Sequence, residues 1–172
     1  MTMTPSLRKL ALIPHLTASV GWIGAVITYL GLNIAAITNQ DAQTVRAAWI
    51  AMEVIGWYVI VPMAFAALLT GLVMSLGTHW GLFRHYWVLF SLGLTLFCTV
   101  ILLSHLRTVS AIASMAREAD RADVGHLGGD LVHPGVGLLV LLVILALNVY
   151  KPRGVTPYGW RKWREQRELP RS

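Results

Sequence analysis

Cysteine and charge are both scarce in this chain of 172 residues. Cys98 is the only cysteine, which excludes an intramolecular disulfide and a metal site built from several thiolates. Charged residues make up 13% of the chain and hydrophobic residues 56%, with a mean hydropathy of +0.62. Because soluble domains normally carry about 25% charged residues, the composition predicts that lipid surrounds most of the protein.

Several catalytic patterns are also missing. The sequence shows no serine–histidine–aspartate arrangement, no glycine-rich phosphate loop and no paired catalytic carboxylates. These are the groups that hydrolysis and nucleotide-driven transport require. Both function classes are therefore without support.

Four apolar segments are long enough to cross a bilayer, which needs about 20 residues per helix. They cover about 10–37, 49–76, 86–109 and 133–150. Continuous apolar runs favour helices over barrel strands, which alternate and are shorter. The prediction is an all-α, four-transmembrane-helix bundle with up-down-up-down topology. Residues 1–150 form it, and 151–172 form a basic tail, either a short interfacial helix or disordered.

The basic residues predict the orientation, because short cytoplasmic loops retain lysine and arginine. Four arginines fall on one side of the four spans: Arg46, Arg107, Arg117 and Arg121. The other side carries Arg8, Lys9, Arg84, Lys151, Arg153, Arg161, Lys162, Arg164, Arg167 and Arg171. Both termini are therefore predicted to be cytoplasmic, in a bacterial plasma membrane. The net charge of +6 indicates topology and anionic lipid rather than nucleic acid.

The histidines sort by depth. His15, His79 and His85 belong to the predicted inner side, whereas His105, His126 and His133 belong to the outer side. The 20 residues from His85 to His105 span about 30 Å of helix, the thickness of the hydrocarbon core. One cofactor therefore cannot use both histidines.

Pairs of histidines at one depth are typical of haem axial ligands between bundle helices. The hypothesis is an outer haem b held by His105 and His133, and an inner one held by His15 with His85 or His79. Trp22 lies two turns from His15 on nearly the same face and is a candidate for stacking on the porphyrin. A hydrogen-bonded interfacial histidine is the simpler alternative for each residue.

A metal ion is the rival cofactor. His105, His126 and His133, with Asp123 or Asp130, contain the nitrogen and oxygen ligands that zinc and copper use. No closely spaced His-x-x-His pair supports this alternative.

Glu53, within the second span, is expected to pair with Arg107, to orient a histidine or to reach water. Pro62 is expected to bend its helix.

The first helix resembles a known motif. His15-Leu16-Thr17-Ala18-Ser19-Val20-Gly21-Trp22 is similar to the histidine, six residues, tryptophan pattern of the membrane protoporphyrinogen oxidase and of the copper-resistance D domain. The resemblance implies haem binding by His15 or a porphyrin-oxidising activity. The third helix has Ser91 where such proteins often carry a lysine.

The rest of the chain resembles small actinobacterial membrane proteins of uncharacterised function. The matching stretches include Gly77-Thr78-His79-Trp80-Gly81-Leu82-Phe83-Arg84, Leu102-Leu103-Ser104-His105, His133-Pro134-Gly135 and Tyr150-Lys151-Pro152-Arg153-Gly154. Four-helix di-haem oxidoreductases linked to quinones are similar in size and plan.

The resulting functional hypothesis is a cytochrome b that carries electrons between a quinone and an outer acceptor or donor. The alternatives are a porphyrin oxidase, or a non-enzymatic protein that handles copper or joins a larger membrane complex. Lipid, a quinone and a second copy of the chain are the expected partners.

Overall fold

The structure, a computed structural model, describes residues 3–78, 81–118 and 129–168. The described chain is helical apart from its loops and one isolated β-bridge. The helices are α1 (Pro5–Thr38), α2 (Ala42–Ile55), α3 (Val61–Gly77), α4 (Tyr86–Glu118), α5 (Val132–Tyr150) and α6 (Pro157–Glu168). A π-helical segment, Gly56–Ile60, joins α2 to α3. Four candidate spans result: α1, the α2–α3 unit, α4 and α5.

Two spans extend well beyond their predicted bounds. The second begins at Ala42 rather than 49, because the Asp41 side chain caps it by accepting hydrogen bonds from two backbone amides. The third continues to Glu118 rather than ending at 109, and its last turns bury Ala113 and Ala116. Hydropathy alone excludes these turns because they carry polar residues on their exposed faces.

The π-helical segment keeps one face of the α2–α3 unit buried. Buried positions recur every four residues, at Met52, Gly56, Ile60 and Ala64. Three α-helical turns take about 10.8 residues, so the 12 residues from Met52 to Ala64 are about one more than three regular turns hold. A π-turn absorbs the extra residue, and the Val61 amide donates to the Gly56 carbonyl five residues back. Pro62, which has no amide hydrogen, follows immediately.

The outer surface of the four spans is apolar. Val20, Phe90 and Leu139 are each more than 60% exposed, whereas small residues such as Ala64 and Ala67 fill the interior. Large exposed apolar surfaces on a helix bundle need lipid around them. The chain is therefore a multi-pass membrane protein.

Hydrogen bonds identify the two ends of the bundle. At the Asp130 end, Asp130 N donates to Asn33 Oδ1 over 3.0 Å, and Arg46 Nε donates to the Ala116 carbonyl over 2.7 Å. At the tail end, Met3 N donates to the Gly77 carbonyl over 2.8 Å.

The tail folds back onto the loop before α4. Thr156 N donates to the Arg84 carbonyl over 2.9 Å, and Tyr86 N donates to the Gly154 carbonyl over 3.2 Å. The helical alternative for the tail is confirmed for the described residues, where α6 follows these contacts.

Candidate metal centre

Two histidines and one aspartate come together at the Asp130 end. His105 belongs to α4, His133 to the first turn of α5, and Asp130 lies just before that helix. His133 Nδ1 is hydrogen-bonded to Asp130 Oδ2, and His105 Nδ1 lies 3.8 Å from the same oxygen. One ligand atom from each residue lies within 4.8 Å of the others. We call this group the His–Asp–His cluster.

The two imidazole rings of the cluster stack on each other. Their centroids are 4.5 Å apart and their planes differ by 15°, a separation at which two rings are in direct contact. A haem iron with two histidine ligands needs the macrocycle between the imidazoles. His105 and His133 would therefore have to separate before they held one haem, and the outer haem stays a prediction.

Asp130 is held in place by the start of α5. Its Oδ1 accepts hydrogen bonds from the Val132 amide at 3.0 Å and the His133 amide at 3.3 Å. A helix leaves its first amides without intrahelical partners, and an aspartate side chain satisfies them. One carboxylate thus caps α5 with Oδ1 and contacts the cluster histidines with Oδ2.

The same contacts favour the ionised form of Asp130. Partial burial opposes ionisation, but hydrogen bonds from His133 and Val132, with the charge of His133, hold the pKa of this carboxyl below its ordinary value. An ionised carboxylate only accepts hydrogen bonds, so His133 Nδ1 carries the proton between them. In neutral His133 the lone pair is therefore on Nε2.

Asn33 supports the cluster from α1. It is 1% exposed, and it accepts the hydrogen bond from the Asp130 backbone. Its own amide donates to Met52 Sδ over 3.0 Å and to the Tyr29 carbonyl over 3.4 Å. Sequence reasoning missed this residue, although a single asparagine near the end of an apolar span is a signal of a buried polar contact.

An apolar cavity of about 210 Å³ adjoins the cluster. Its lining includes His105, His133, Tyr29 and Cys98, together with side chains that face lipid, such as Phe97 and Val136. We call it the cluster cavity. Cys98 precedes His105 by seven residues, or about two turns of α4, and is not part of the cluster.

A second cavity, of about 330 Å³, opens toward the tail end. It is lined by His15, Trp22, Trp87 and Ser91, and by the cationic side chains of Arg8 and Lys151. We call it the tail cavity. Trp22 borders both cavities, so the side chain predicted to stack on a porphyrin lies between them.

The contacts of His15 assign its tautomer. Thr70 Oγ1 donates its hydrogen to the Ala66 carbonyl over 2.5 Å and lies 3.0 Å from His15 Nδ1. Since the hydroxyl hydrogen is already used, Nδ1 donates to Thr70 Oγ1, and Nε2 keeps the lone pair. A hydrogen bond at one ring nitrogen is typical of a histidine whose other nitrogen binds a metal.

His85, the other inner histidine that the structure describes, does not line the cavity of His15. His85 is buried and forms a β-bridge with Val155, and the described lining of the tail cavity does not include it. His79 lies outside the described residues, as do His126 and Asp123. The pairing of His15 with His85 or His79 therefore stays a prediction.

Glu53 pairs with a different arginine from the one predicted from the sequence. It forms an ion pair with Arg117 rather than Arg107. The reason is the extension of α4 beyond its predicted end, which places Arg117 in the last turn of a helix. The pair contributes to the contact between α2 and α4 at the Asp130 end.

The comparisons identify no relatives. No known protein family, no curated protein and no solved structure matches the chain.

Proposed function

We propose that this protein binds a transition-metal ion at the His–Asp–His cluster, at one end of a four-helix membrane bundle. The observation that carries the proposal is the convergence of two imidazoles and one carboxylate from two separate helix regions, with their ligand atoms within 4.8 Å. Small side-chain rotations bring such atoms to the spacing that one ion requires.

The donor set limits the metal. Two imidazole nitrogens and a carboxylate oxygen suit zinc, copper and iron, whereas magnesium and calcium prefer oxygen ligands alone. Three protein ligands also leave a coordination position for an exchangeable ligand. The proposed function is therefore metal handling at the membrane surface, which develops the copper-handling alternative drawn from the sequence.

The surroundings of the cluster support a metal more directly than a haem. Asp130 is oriented by the α5 amides and by Asn33, and ligands held by such secondary contacts bind metals more tightly. The stacked imidazoles leave no layer for a macrocycle between them. Metal binding at His133 Nδ1 displaces the proton that this nitrogen shares with Asp130. In neutral His133 that proton moves to Nε2, and in protonated His133 it is released.

The distribution of charge supports an outward-facing cluster. Thr156 of the tail is hydrogen-bonded to Arg84 at one end, and most of the basic residues that the structure describes lie there. The Asp130 end instead carries Glu53, Asp41 and Asp130 beside Arg46 and Arg117. Since lysine and arginine are retained on the cytoplasmic side, the proposed orientation places both termini in the cytoplasm and the cluster on the opposite face.

The test is a metal titration of the detergent-purified protein after treatment with a chelator. Isothermal titration calorimetry measures the binding of zinc, copper(II) and iron(II). The titrations are done in two buffers that differ in ionisation enthalpy, so that proton release is measured together with affinity. We expect one ion per chain, with affinity reduced at least about 100-fold in His105→Ala, His133→Ala and Asp130→Asn.

Glu53→Gln is the matched control, because it removes a carboxylate from the same end but outside the cluster. Equal affinity in the wild type and all three cluster variants would exclude this site.

A visible spectrum, oxidised and dithionite-reduced, is recorded on the same samples. A low-spin b-type spectrum that weakens in His15→Ala would instead support the haem hypothesis.

A further inference from the structure

We propose that the tail cavity binds an amphipathic anion, with its acidic head group between Arg8 and Lys151 and its apolar body against Trp22 and Trp87. This inference concerns a different part of the bundle from the metal cluster and does not depend on the metal.

The charge of the lining argues for an anion. Arg8 and Lys151 belong to two different segments, the first turn of α1 and the residue after α5, and both line the same cavity. No aspartate or glutamate is among the described lining residues. Two cations on the wall of a partly apolar site attract a carboxylate or phosphate and form charge-assisted hydrogen bonds with it.

The remaining lining argues for an apolar body. Trp22 and Trp87 are 4% and 8% exposed, and aliphatic side chains such as Leu12 and Ile144 surround them. Arg8 and Trp22 are 14 residues apart on α1, which corresponds to about 20 Å along the helix. The cavity therefore extends from the cations at the tail end to Trp22 in the middle of α1.

The volume fits a small ligand. A cavity of about 330 Å³ falls in the usual range of about 300–1,000 Å³ for small-molecule sites. Most polar side chains inside are already hydrogen-bonded to the protein: Asn148 Nδ2 donates to Ser91 Oγ over 3.2 Å, and Thr95 Oγ1 donates to the Ser91 carbonyl over 2.7 Å. The interior can therefore accept an apolar chain without leaving many polar groups unpaired.

Two sources supply this chemistry: an anionic phospholipid of the surrounding bilayer, and a membrane-soluble fatty acid. The experiment measures binding of phosphatidylglycerol, phosphatidylcholine with the same acyl chains, and oleate to the delipidated full-length protein. Native mass spectrometry counts the retained ligand. Quenching of tryptophan fluorescence by brominated forms of each ligand reports its proximity to the seven tryptophans, of which Trp22 and Trp87 line the cavity.

The variant that removes the head-group site is Arg8→Gln combined with Lys151→Asn. Lys151 has a positive φ of 45°, a conformation that asparagine tolerates better than most residues, so the substitution removes the charge and suits the backbone. The matched control is Arg153→Gln combined with Arg161→Gln, which removes two charges from the tail outside the cavity lining.

A second variant, Ser91→Trp, fills the cavity and leaves both cations in place. Ser91 is 8% exposed, so circular dichroism and gel filtration establish that each variant is folded before binding is compared.

We expect an anionic ligand to bind more tightly than phosphatidylcholine, with affinity reduced about tenfold or more in the Arg8/Lys151 variant. The control should bind as the wild type does, and Ser91→Trp should lose the ligand that mass spectrometry counts in the wild type. Binding of phosphatidylglycerol with this dependence assigns a phospholipid head group, and binding of oleate alone assigns a fatty acid.

The proposal is overturned by equal binding of phosphatidylglycerol and phosphatidylcholine with no oleate binding. It is also overturned by equal losses in the two charge variants, which indicate a general surface attraction, or by wild-type binding in folded Ser91→Trp.

Discussion

Asn33 connects three segments through one buried side chain. It accepts a hydrogen bond from the Asp130 backbone and donates to Met52 Sδ, so it links α1 to α2 and to the loop before α5. A buried amide whose partners lie on different elements restricts how those elements move relative to one another. The position of Asp130, and with it the geometry of the His–Asp–His cluster, therefore depends on a residue that is not itself in the cluster.

The first prediction concerns Asn33→Leu. The leucine leaves the partly buried Asp130 amide without its acceptor, so we expect the free energy of unfolding to fall by about 1–3 kcal/mol. Metal affinity should fall by about 10- to 100-fold, as it does when groups that orient a ligand are removed. Thermal unfolding and the metal titration measure the two effects. Asn39→Leu, at the exposed end of the same helix, should leave the affinity unchanged.

The second prediction concerns the pH dependence contributed by Asp130. Its pKa is lowered in the folded protein, so its contribution to stability is complete above the ordinary value of 3.8 and is lost as the pH falls through the lower folded-state pKa. Asp130→Asn should therefore be less stable than the wild type at pH 6, and the difference in Tm should shrink below pH 3.8. A difference that is constant with pH would contradict this assignment.

The π-helical segment brings α2 and α4 close together beside the cluster. A Cβ added at Gly56 would collide with Leu106 Cδ2, and Leu106 is 1% exposed and follows His105 directly. A larger residue at position 56 would therefore force the Leu106 side chain to move. The packing of the residue next to His105 thus depends on the glycine at position 56.

The third prediction concerns Gly56→Ala. The added methyl group collides with the buried Leu106 side chain, and we expect a loss of about 1–3 kcal/mol in unfolding free energy, together with weaker metal binding. Gly93→Ala is the matched control on α4, where an added Cβ meets nothing within 4 Å. It should be neutral or stabilising by up to about 1 kcal/mol, because alanine favours the helix. Calorimetric unfolding of both variants distinguishes a steric clash at position 56 from the general effect of replacing a helical glycine by alanine.

Hydropathy predicted the elements better than their ends. It identified four spans because each contains a long apolar run, and the structure confirms four helices of that kind. It did not predict the first two turns of α2, which depend on the Asp41 cap, nor the π-turn at Gly56–Ile60, which depends on packing. Both features arise from specific contacts that an averaged apolar signal does not contain.

Part of the candidate site was also readable from the sequence. Sorting the histidines by depth placed His105 and His133 together, and Asp130 was named among the possible metal ligands. The stacked geometry and the role of Asn33 were not predictable, because they depend on the rotation of α4 and α5 about their axes. Helix periodicity within one segment does not determine that rotation.

The fourth prediction concerns the orientation of the whole bundle. In a Cys98→Ser background, a single cysteine is introduced by Gln40→Cys, in the loop between α1 and α2, or by Arg153→Cys, in the tail. A membrane-impermeant maleimide applied to intact cells with a permeabilised outer membrane should label the first variant and not the second. The reverse pattern would place the His–Asp–His cluster in the cytoplasm.

Trp22 and Leu141 border both the tail cavity and the cluster cavity. The two cavities therefore share a wall that consists of these two side chains. Because the indole of Trp22 is 4% exposed and fills the space between the cavities, a substitution that shortens it, such as Trp22→Ala, would join them into one larger cavity.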